Sequence, residues 1–211
     1  MIPSRPFYLI RHGETDDNVA RITAGGGTES PLNDNGRAQA RRVAETIAHL
    51  EQKPTKIIHS SMNRTTETAT IINEALGVPM QKETALVEQM VGEWEGAHWD
   101  EVIPKLQADM RPEGGESRSD FAVRVKGAMN RLFTAPEHES EALMVVAHGG
   151  TFYALMNLYR WHYDGHIHNC QLHLFTPKDD HAAFPWEVCR FEPNESQMKR
   201  GIAEFCPRVI L

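Results

Sequence analysis

An α/β fold, built as three layers with a mainly parallel central sheet between two layers of helices, is what this sequence predicts. Three observations carry it. Residues 7–10 (Phe-Tyr-Leu-Ile) and 143–147 (Leu-Met-Val-Val-Ala) are short continuous apolar runs, the pattern of strands buried on both faces. Segments with apolar residues at helical spacing alternate with such runs. Capping residues, glycines and prolines separate the two kinds of segment. The 211 residues, 40% hydrophobic and 24% charged, fit one globular domain over 1–211. A chain of this length buries roughly 70% of its unfolded surface, so it requires no disulfide or metal staple.

The elements follow in order. Residues 11–32 are rich in Gly, Thr, Asp and Asn, include Gly25-Gly26-Gly27, and read as a long loop, a length that usually signals function. Asn33 suits the N-cap of a helix over 34–51, whose Ala40, Val43, Ala44 and Ile47 fall at i, i+3, i+4 and i+7. Residues 56–59 read as a second strand. Ser60-Ser61 stand where they can cap a helix over 62–76, with Ala69, Ile72, Ala75 and Leu76 as its stripe and Gly77 and Pro79 as its stop. Residues 80–116 show no clear period and contain turn-like stretches at 92–96 and 112–115. Ser117-x-x-Asp120 resembles a capping box, opening a helix with Phe121, Val125, Ala128, Met129 and Leu132 on one face and Pro136 beyond its end. The run at 143–147 leads into His148-Gly149-Gly150-Thr151 and a short helix. The tail offers strands at 171–175 and 187–191 around a polar turn at 177–180.

Charge narrows the partners. With 22 basic and 29 acidic residues the net charge is −7, which argues against a broad nucleic-acid or anionic-membrane surface. Any anion the protein binds must be held by a local basic cluster. Cys170, Cys189 and Cys206 are odd in number and form no CxxC pair, so a disulfide framework and a zinc site are poor readings and a reducing cytoplasm the better one. No run approaches the ~20 apolar residues of a membrane span, and the run at 7–10 is too brief for a signal-peptide core.

In open α/β sheets, ligands bind beyond the carboxyl ends of the strands. Arg11-His12 follows one strand, Arg64 opens the helix after another, and His148-Gly149-Gly150 follows a third. If those strands are parallel, two guanidiniums, two imidazoles and a helix N-terminus converge on one edge as a tight anion site. Taken singly, each is as readily a structural or solvated residue; the convergence is what carries weight. His162, His166, His168 and His173 invite a metal reading but lack a metalloenzyme spacing, so no metal or cofactor is expected. Gly25-Gly26-Gly27 is not followed by the lysine of a P-loop. Trp94, Trp99, Trp161 and Trp186 read as packing, with Trp94 and Trp99 as candidate walls of the site.

The spelling adds a resemblance. Leu9-Ile10-Arg11-His12-Gly13-Glu14-Thr15 with Asn18, then Ser30-Pro31-Leu32 with Gly36, then Ser60-Ser61-Met62-Asn63-Arg64 with Thr68-Ala69, resemble motifs of the histidine phosphatase superfamily, the phosphoglycerate-mutase-like enzymes. Leu86-x-Glu88-x-x-x-Gly92-x-x-Glu95-Gly96, Pro112-x-Gly-Gly-Glu-Ser117, Val146-Ala147-His148-Gly149-Gly150 and Asn169 continue the series in the same order. The resemblance covers about residues 7–176.

It implies His12 as a nucleophile that forms a phosphohistidine, its other ring nitrogen held by a backbone carbonyl. Arg11, Arg64 and His148 are implied as the clamp on the phosphoryl oxygens, Asn18 as a further donor, and Glu88 as the general acid and base. Glu93 and Glu95 compete for that acid role by proximity alone, and Glu95-Gly96 reads instead as a turn. Arg21 matches a loop arginine of the family and is either a substrate contact or a solvated side chain.

The implied activity is metal-independent hydrolysis of a small phosphorylated metabolite. Mutases of the family typically carry a longer basic insertion after the acid motif. Here residues 97–111 supply only Lys105 and Arg111 against Asp100, Glu101 and Asp109. Phosphoryl transfer between positions of one metabolite, as in an isomerase, is the alternative. A non-catalytic phosphate binder is the other, though the proposed catalytic residues are all retained. Gly26-Gly27, where many relatives carry an aromatic, predicts a more open or mobile pocket wall.

Overall fold

The structure, a computed structural model, describes residues 1–162, 166–178, 184–191, 201–202 and 206–207. The side chains of His162 and Cys206 and part of the turn expected at 177–180 lie outside the described residues.

Strand β1 (Phe7–Arg11) is followed by a five-residue helix α1 (Asp16–Ala20), and then by α2 (Asp34–Ala48), β2 (Lys56–Ser60) and α3 (Asn63–Leu76). Next come β3 (Met80–Glu83), α4 (Trp99–Gln107), α5 (Arg118–Thr134), β4 (Leu143–Ala147) and α6 (Gly149–Tyr159). The chain continues through β5 (Trp161–His162), β6 (Leu172–Pro177), β7 (Trp186–Phe191), β8 (Gly201–Ile202) and β9 (Cys206–Pro207).

The main sheet runs β3-β2-β4-β1-β6-β7-β8, and β5 pairs with β9 in a separate two-stranded sheet. Strands β3, β2, β4 and β1 are parallel, whereas β6, β7 and β8 return antiparallel on the far side of β1. Period-two alternation sends neighbouring side chains to opposite faces. Phe7, Leu9, Leu143, Val145 and Ala147 pack against α5 and α6. Tyr8, Ile10, Met144 and Val146 pack against α2 and α3. Three layers result, as the strands' unbroken apolar runs require.

The structure departs from expectation at four places. The loop after β1 contains α1, closed at its start by a reciprocal pair between Thr15 and Asn18 and at its end by Arg21 in the left-handed region, φ 57°. Residues 80–116 hold two elements. β3 is half-exposed with no apolar run, and it exists because its backbone pairs with β2. α4 carries Pro104 in its interior, which hides its helical pattern. Lastly, Ser60-Ser61 do not cap α3: its N-cap is Met62, without a side-chain bond, and the Ser60 hydroxyl turns to His148 instead. The capping box at Ser117 and Asp120 and the Asn33 cap on α2 form as predicted. Among the described residues no helix is long and apolar enough to cross a membrane.

Gly13, just past β1, meets the first turn of α2 at Gly36. A Cβ on Gly13 would stand 2.6 Å from the Gly36 carbonyl oxygen, and one on Gly36 would overlap the Glu14 carbonyl. Helix propensity alone favours Ala over Gly by up to ~1 kcal/mol. Here overpacking reverses the sign, and Gly36→Ala is expected to destabilise the fold by about 1–3 kcal/mol. Urea unfolding checks this; a midpoint at or above the parent's would show that the approach has slack.

Candidate active site

The parallel alignment of β1 with β4 decides the site. Arg11 is in register with Ala147, and the His12 N–H continues the ladder to the Ala147 carbonyl at 2.9 Å. His12 and His148 therefore leave adjacent strands at the same level, their ring centroids 5.4 Å apart and edge to face. His148 then opens α6, so the first turn of a helix lies at the same edge.

His12 is buried, and its Nδ1 lies 2.7 Å from the Gly13 carbonyl oxygen. A carbonyl only accepts, so Nδ1 carries the proton and Nε2 of the neutral ring keeps its lone pair. Gly13 is itself fixed: its N–H donates to Thr68 Oγ1 at 3.0 Å, and that hydroxyl donates to the Arg64 carbonyl at 2.7 Å. Burial first, then the charges of Arg11 and Arg64, push the His12 imidazolium well below its ordinary range, opposed by the bond to Gly13. His148 is held neutral in the same way, by burial and then by Arg64, His12 and Arg11. Its Nε2 meets the Ser60 hydroxyl at 2.9 Å, while its Nδ1 is buried without a hydrogen-bond partner.

Arg11 and Arg64 are 8% and 1% exposed, and neither is salt-bridged among the described residues. Arg11 Nη1 donates to the Ile167 carbonyl at 2.8 Å, and its buried Nε has no partner. Arg64 donates from Nη1 to the Thr28 carbonyl at 2.9 Å and from Nη2 to the carbonyls of Gly25 at 3.1 Å and Ala24 at 3.3 Å. A buried donor left unpaired costs about 1–3 kcal/mol. An anion bound against Arg11 Nε and His148 Nδ1 relieves that cost.

Asn18 lies at the same edge. Its Oδ1 accepts from Asn169 Nδ2 at 3.0 Å and from the Thr15 N–H at 3.3 Å, which leaves its amide nitrogen as the group facing the cleft. Asn169 also donates to the His12 carbonyl at 3.0 Å. Glu88 is half-buried and reaches the opening turn of α6: Oε2 accepts from the Gly150 N–H at 3.0 Å, and Oε1 from the Gln89 N–H at 2.8 Å. A Cβ at Gly150 would overlap the Glu88 carboxylate, so only glycine allows this approach.

Glu95 is not beside this group. Its carboxylate accepts from the N–H groups of Gly25 at 2.8 Å and Gly27 at 3.1 Å, fastening the loop that Arg64 holds from the other side. The open wall predicted from Gly26-Gly27 is thus tied down by two charged side chains. Arg21 lines the cleft and is half-exposed, with Nη2 2.5 Å from Asp100 Oδ1. Trp99 lines the cleft and donates to the Ile22 carbonyl at 3.0 Å, whereas Trp94 is buried beneath α4. His166 and His168 meet edge to face, and His173 packs against Phe152 in the core; no cluster of three metal-ligating side chains occurs among the described residues.

Arg124 escaped the sequence reading. From α5 it donates to the carbonyls of Ala85 and Val87, each at 2.9 Å, and of Glu88 at 3.1 Å, and it pairs with Glu116. One guanidinium thus carries the whole segment that presents Glu88. Nothing in the sequence marks it, because its partners are backbone atoms 36 to 39 residues away.

Fold and site together define an α/β protein with two neutral imidazoles and two buried guanidiniums at the carboxyl edge of a parallel sheet. The chain belongs to the histidine phosphatase superfamily (branch 1), whose profile matches residues 7–186. It is 36% identical over 152 residues to a probable phosphoglycerate mutase GpmB of Serratia proteamaculans, covering 67% of this chain and 68% of that one. It is 35% identical over 162 residues to a metal-independent phosphoserine phosphatase of Arabidopsis thaliana, covering 71% and 66%. Among solved structures it resembles a mycobacterial glucosyl-3-phosphoglycerate phosphatase in complex with VO3, with TM-score 0.71 and 26% identity, over 89% of this chain and 97% of that one.

The neutral imidazoles make stability depend on pH. In the unfolded chain His12, His148 and His173 titrate near ~6.5. In the fold the first two lie well below that and His173 at about 4. As pH falls through 6.5 the unfolded state binds protons that the folded state refuses, so stability is full above that value and declines below it. Denaturant titrations between pH 7.5 and 5 are expected to show uptake of about two to three protons on unfolding at the acid end. A stability independent of pH in this window would refute the assignment of neutral rings.

Proposed function

We propose that this protein hydrolyses small phosphomonoesters through a phosphohistidine on His12, without a metal ion. The observation that carries the reading is the His12 ring itself. It is neutral, fixed through Nδ1 to the Gly13 carbonyl, and set between two buried guanidiniums that lack carboxylate partners.

The phosphoryl group sits at this edge, its oxygens held by Arg11, Arg64, His148 Nδ1 and the Asn18 amide. His12 Nε2 attacks phosphorus. The P–N bond forms as the bond to the ester oxygen breaks, and Glu88 gives its proton to the departing alkoxide. Each Glu88 oxygen accepts one backbone N–H and keeps a second lone pair for this work. Water then takes the place of the alcohol. The Glu88 carboxylate removes its proton, the hydroxyl oxygen bonds to phosphorus, and the P–N electrons return to Nε2 as inorganic phosphate leaves.

Transfer between two positions of one metabolite would call for a second anion anchor. The two bases of the segment after the acid motif are engaged elsewhere: Lys105 lies over the Trp94 ring at 5.2 Å, and Arg111 pairs with Asp120 at 2.5 Å. Hydrolysis is therefore the reading preferred over mutase transfer. Retention of both the proposed nucleophile, His12, and the proposed acid and base, Glu88, separates it from a non-catalytic phosphate binder.

Phosphate release from a panel of phosphomonoesters in excess EDTA is the direct test, with His12→Ala run beside the parent. Release is expected to persist in EDTA and vanish in the variant, and an acid-labile phosphoenzyme is expected in a rapid quench. Release that needs added metal, or that survives in His12→Ala, would sink the reading. Glu88→Gln is expected to lower kcat by ~10²–10⁴. Arg124→Ala is expected to lower kcat by a part of that with KM little changed, since it holds the segment and not the phosphate. If Arg124→Ala raises KM and leaves kcat alone, its role is not the placement of Glu88.

A further inference from the structure

The phosphate cradle occupies only one end of a cleft of about 630 Å³. The remainder has a different character. Trp99, Val102, Ile103 and Leu106 of α4 all line it and recur at helical spacing, so one face of that helix is an apolar wall. Tyr153 of α6 and Phe121 of α5 also line it. Ile103 and Tyr153 are 42% and 41% exposed, large apolar side chains left to solvent inside a concavity. Asp100 of α4 holds Arg21 and Lys105 lies over Trp94, while Gln107 lines the cleft at the end of the helix, beyond its apolar face. Beyond the cradle the basic side chains along the cleft are Arg21, Arg118 at the first turn of α5, and His166, whose imidazolium is disfavoured by burial first and then by Arg11.

We infer that the organic half of the substrate is apolar, so that the preferred class is an alkyl or aryl phosphomonoester in which one phosphate supplies all the charge. The inference rests on the hydrolytic reading and names the substrate class for that same site. It follows from continuity: an ester oxygen leaving the cradle has the α4 wall as its neighbour. A hydrocarbon against that wall removes Ile103, Tyr153 and itself from water, whereas a carboxylate or sugar there loses hydration against the side chains of Val102, Ile103 and Leu106, which return no hydrogen bond.

The test reads binding and turnover separately. Calorimetry on His12→Ala measures Kd for methyl, butyl, hexyl and octyl phosphate, which share one leaving-group chemistry, and for phosphoserine and 3-phosphoglycerate. Kd is expected to fall about fourfold per added methylene until the wall is covered, the equivalent of ~0.8 kcal/mol per buried CH₂. Hexyl phosphate is expected to bind more tightly than either carboxylated ester, and kcat/KM of the parent to follow the same order. In Ile103→Asp the dependence on chain length is expected to flatten, with the unfolding midpoint measured beside it. A Kd that is flat with chain length in His12→Ala would overturn the inference. So would tighter binding of phosphoserine or 3-phosphoglycerate that is lost in Arg118→Ala. Because binding is read without turnover, a parent that binds along this trend but releases no phosphate overturns the hydrolytic reading and leaves the apolar preference standing.

Discussion

Two positive charges have been taken out of water here with no ion pair among the described residues, and much of the structure around them follows from that. Removing a guanidinium from water costs several kcal/mol unless hydrogen bonds replace hydration. For Arg64 the replacements are the carbonyls of Ala24, Gly25 and Thr28. Three carbonyls from one short stretch can face inward only if the chain turns tightly, which is where Gly25 belongs. A Cβ on it would lie 2.6 Å from both the Gln89 carbonyl oxygen and Glu95 Oε1. Glu95 takes the N–H groups on the loop's other side. The loop is a strap between one buried cation and one anion, and it supplies hydrogen bonds in place of water while leaving the guanidinium without a direct ion pair among the described residues.

The same burial governs the imidazoles beside them. Desolvation first, and then repulsion by Arg11 and Arg64, keeps the rings of His12 and His148 neutral. A hydrogen bond then selects the His12 tautomer, since Gly13 takes its proton at Nδ1, while His148 meets the Ser60 hydroxyl through Nε2 and keeps a buried Nδ1 that has no partner among the described residues. Ser60 ends β2, the strand on the other side of β4 from β1. Three parallel strands thus contribute successive groups to one edge, and the backbone ladder sets the spacing among them.

The same dependence on backbone explains what sequence reading reaches and what it misses. β1 and β4 are legible because burial on both faces forces a continuous apolar run. α2 and α5 are legible because a cap residue precedes an apolar stripe. His12, Arg11, Arg64 and His148 are legible because they sit at the ends of such elements, and the placement of Glu88 beside them came from a resemblance. β3 and α4 are not legible: one is defined by pairing with β2, the other interrupts its own pattern with Pro104. Arg124 and Thr68 are missed as supports for a shared reason. They act on carbonyl and amide groups, which every residue possesses, so no side-chain pattern announces the partner. Ser60 shows the converse error, since a serine before a helix reads as a cap until a buried imidazole at the end of the adjacent strand competes for its hydroxyl.

The two ends of the cleft are built by different means, and this separates the chemistry from the choice of substrate. The phosphate end is assembled from strand termini and helix starts locked by the sheet, where a shift of one residue in register would send His12 to the other face. The organic end is lined largely by α4, which lies in the segment between Glu88 and Ser117 and takes no part in the main sheet. Changing Ile103 or Leu106 alters no strand pairing and no hydrogen bond to Arg11, Arg64 or His12. A single cradle can therefore sit beside walls of quite different polarity without being rebuilt. The names carried by its relatives, a mutase and phosphatases of distinct esters, are what such a division allows. In this chain the face of α4 turned to the cleft is hydrocarbon, and two of the basic groups nearby are engaged within the protein, Arg21 with Asp100 and Arg111 with Asp120.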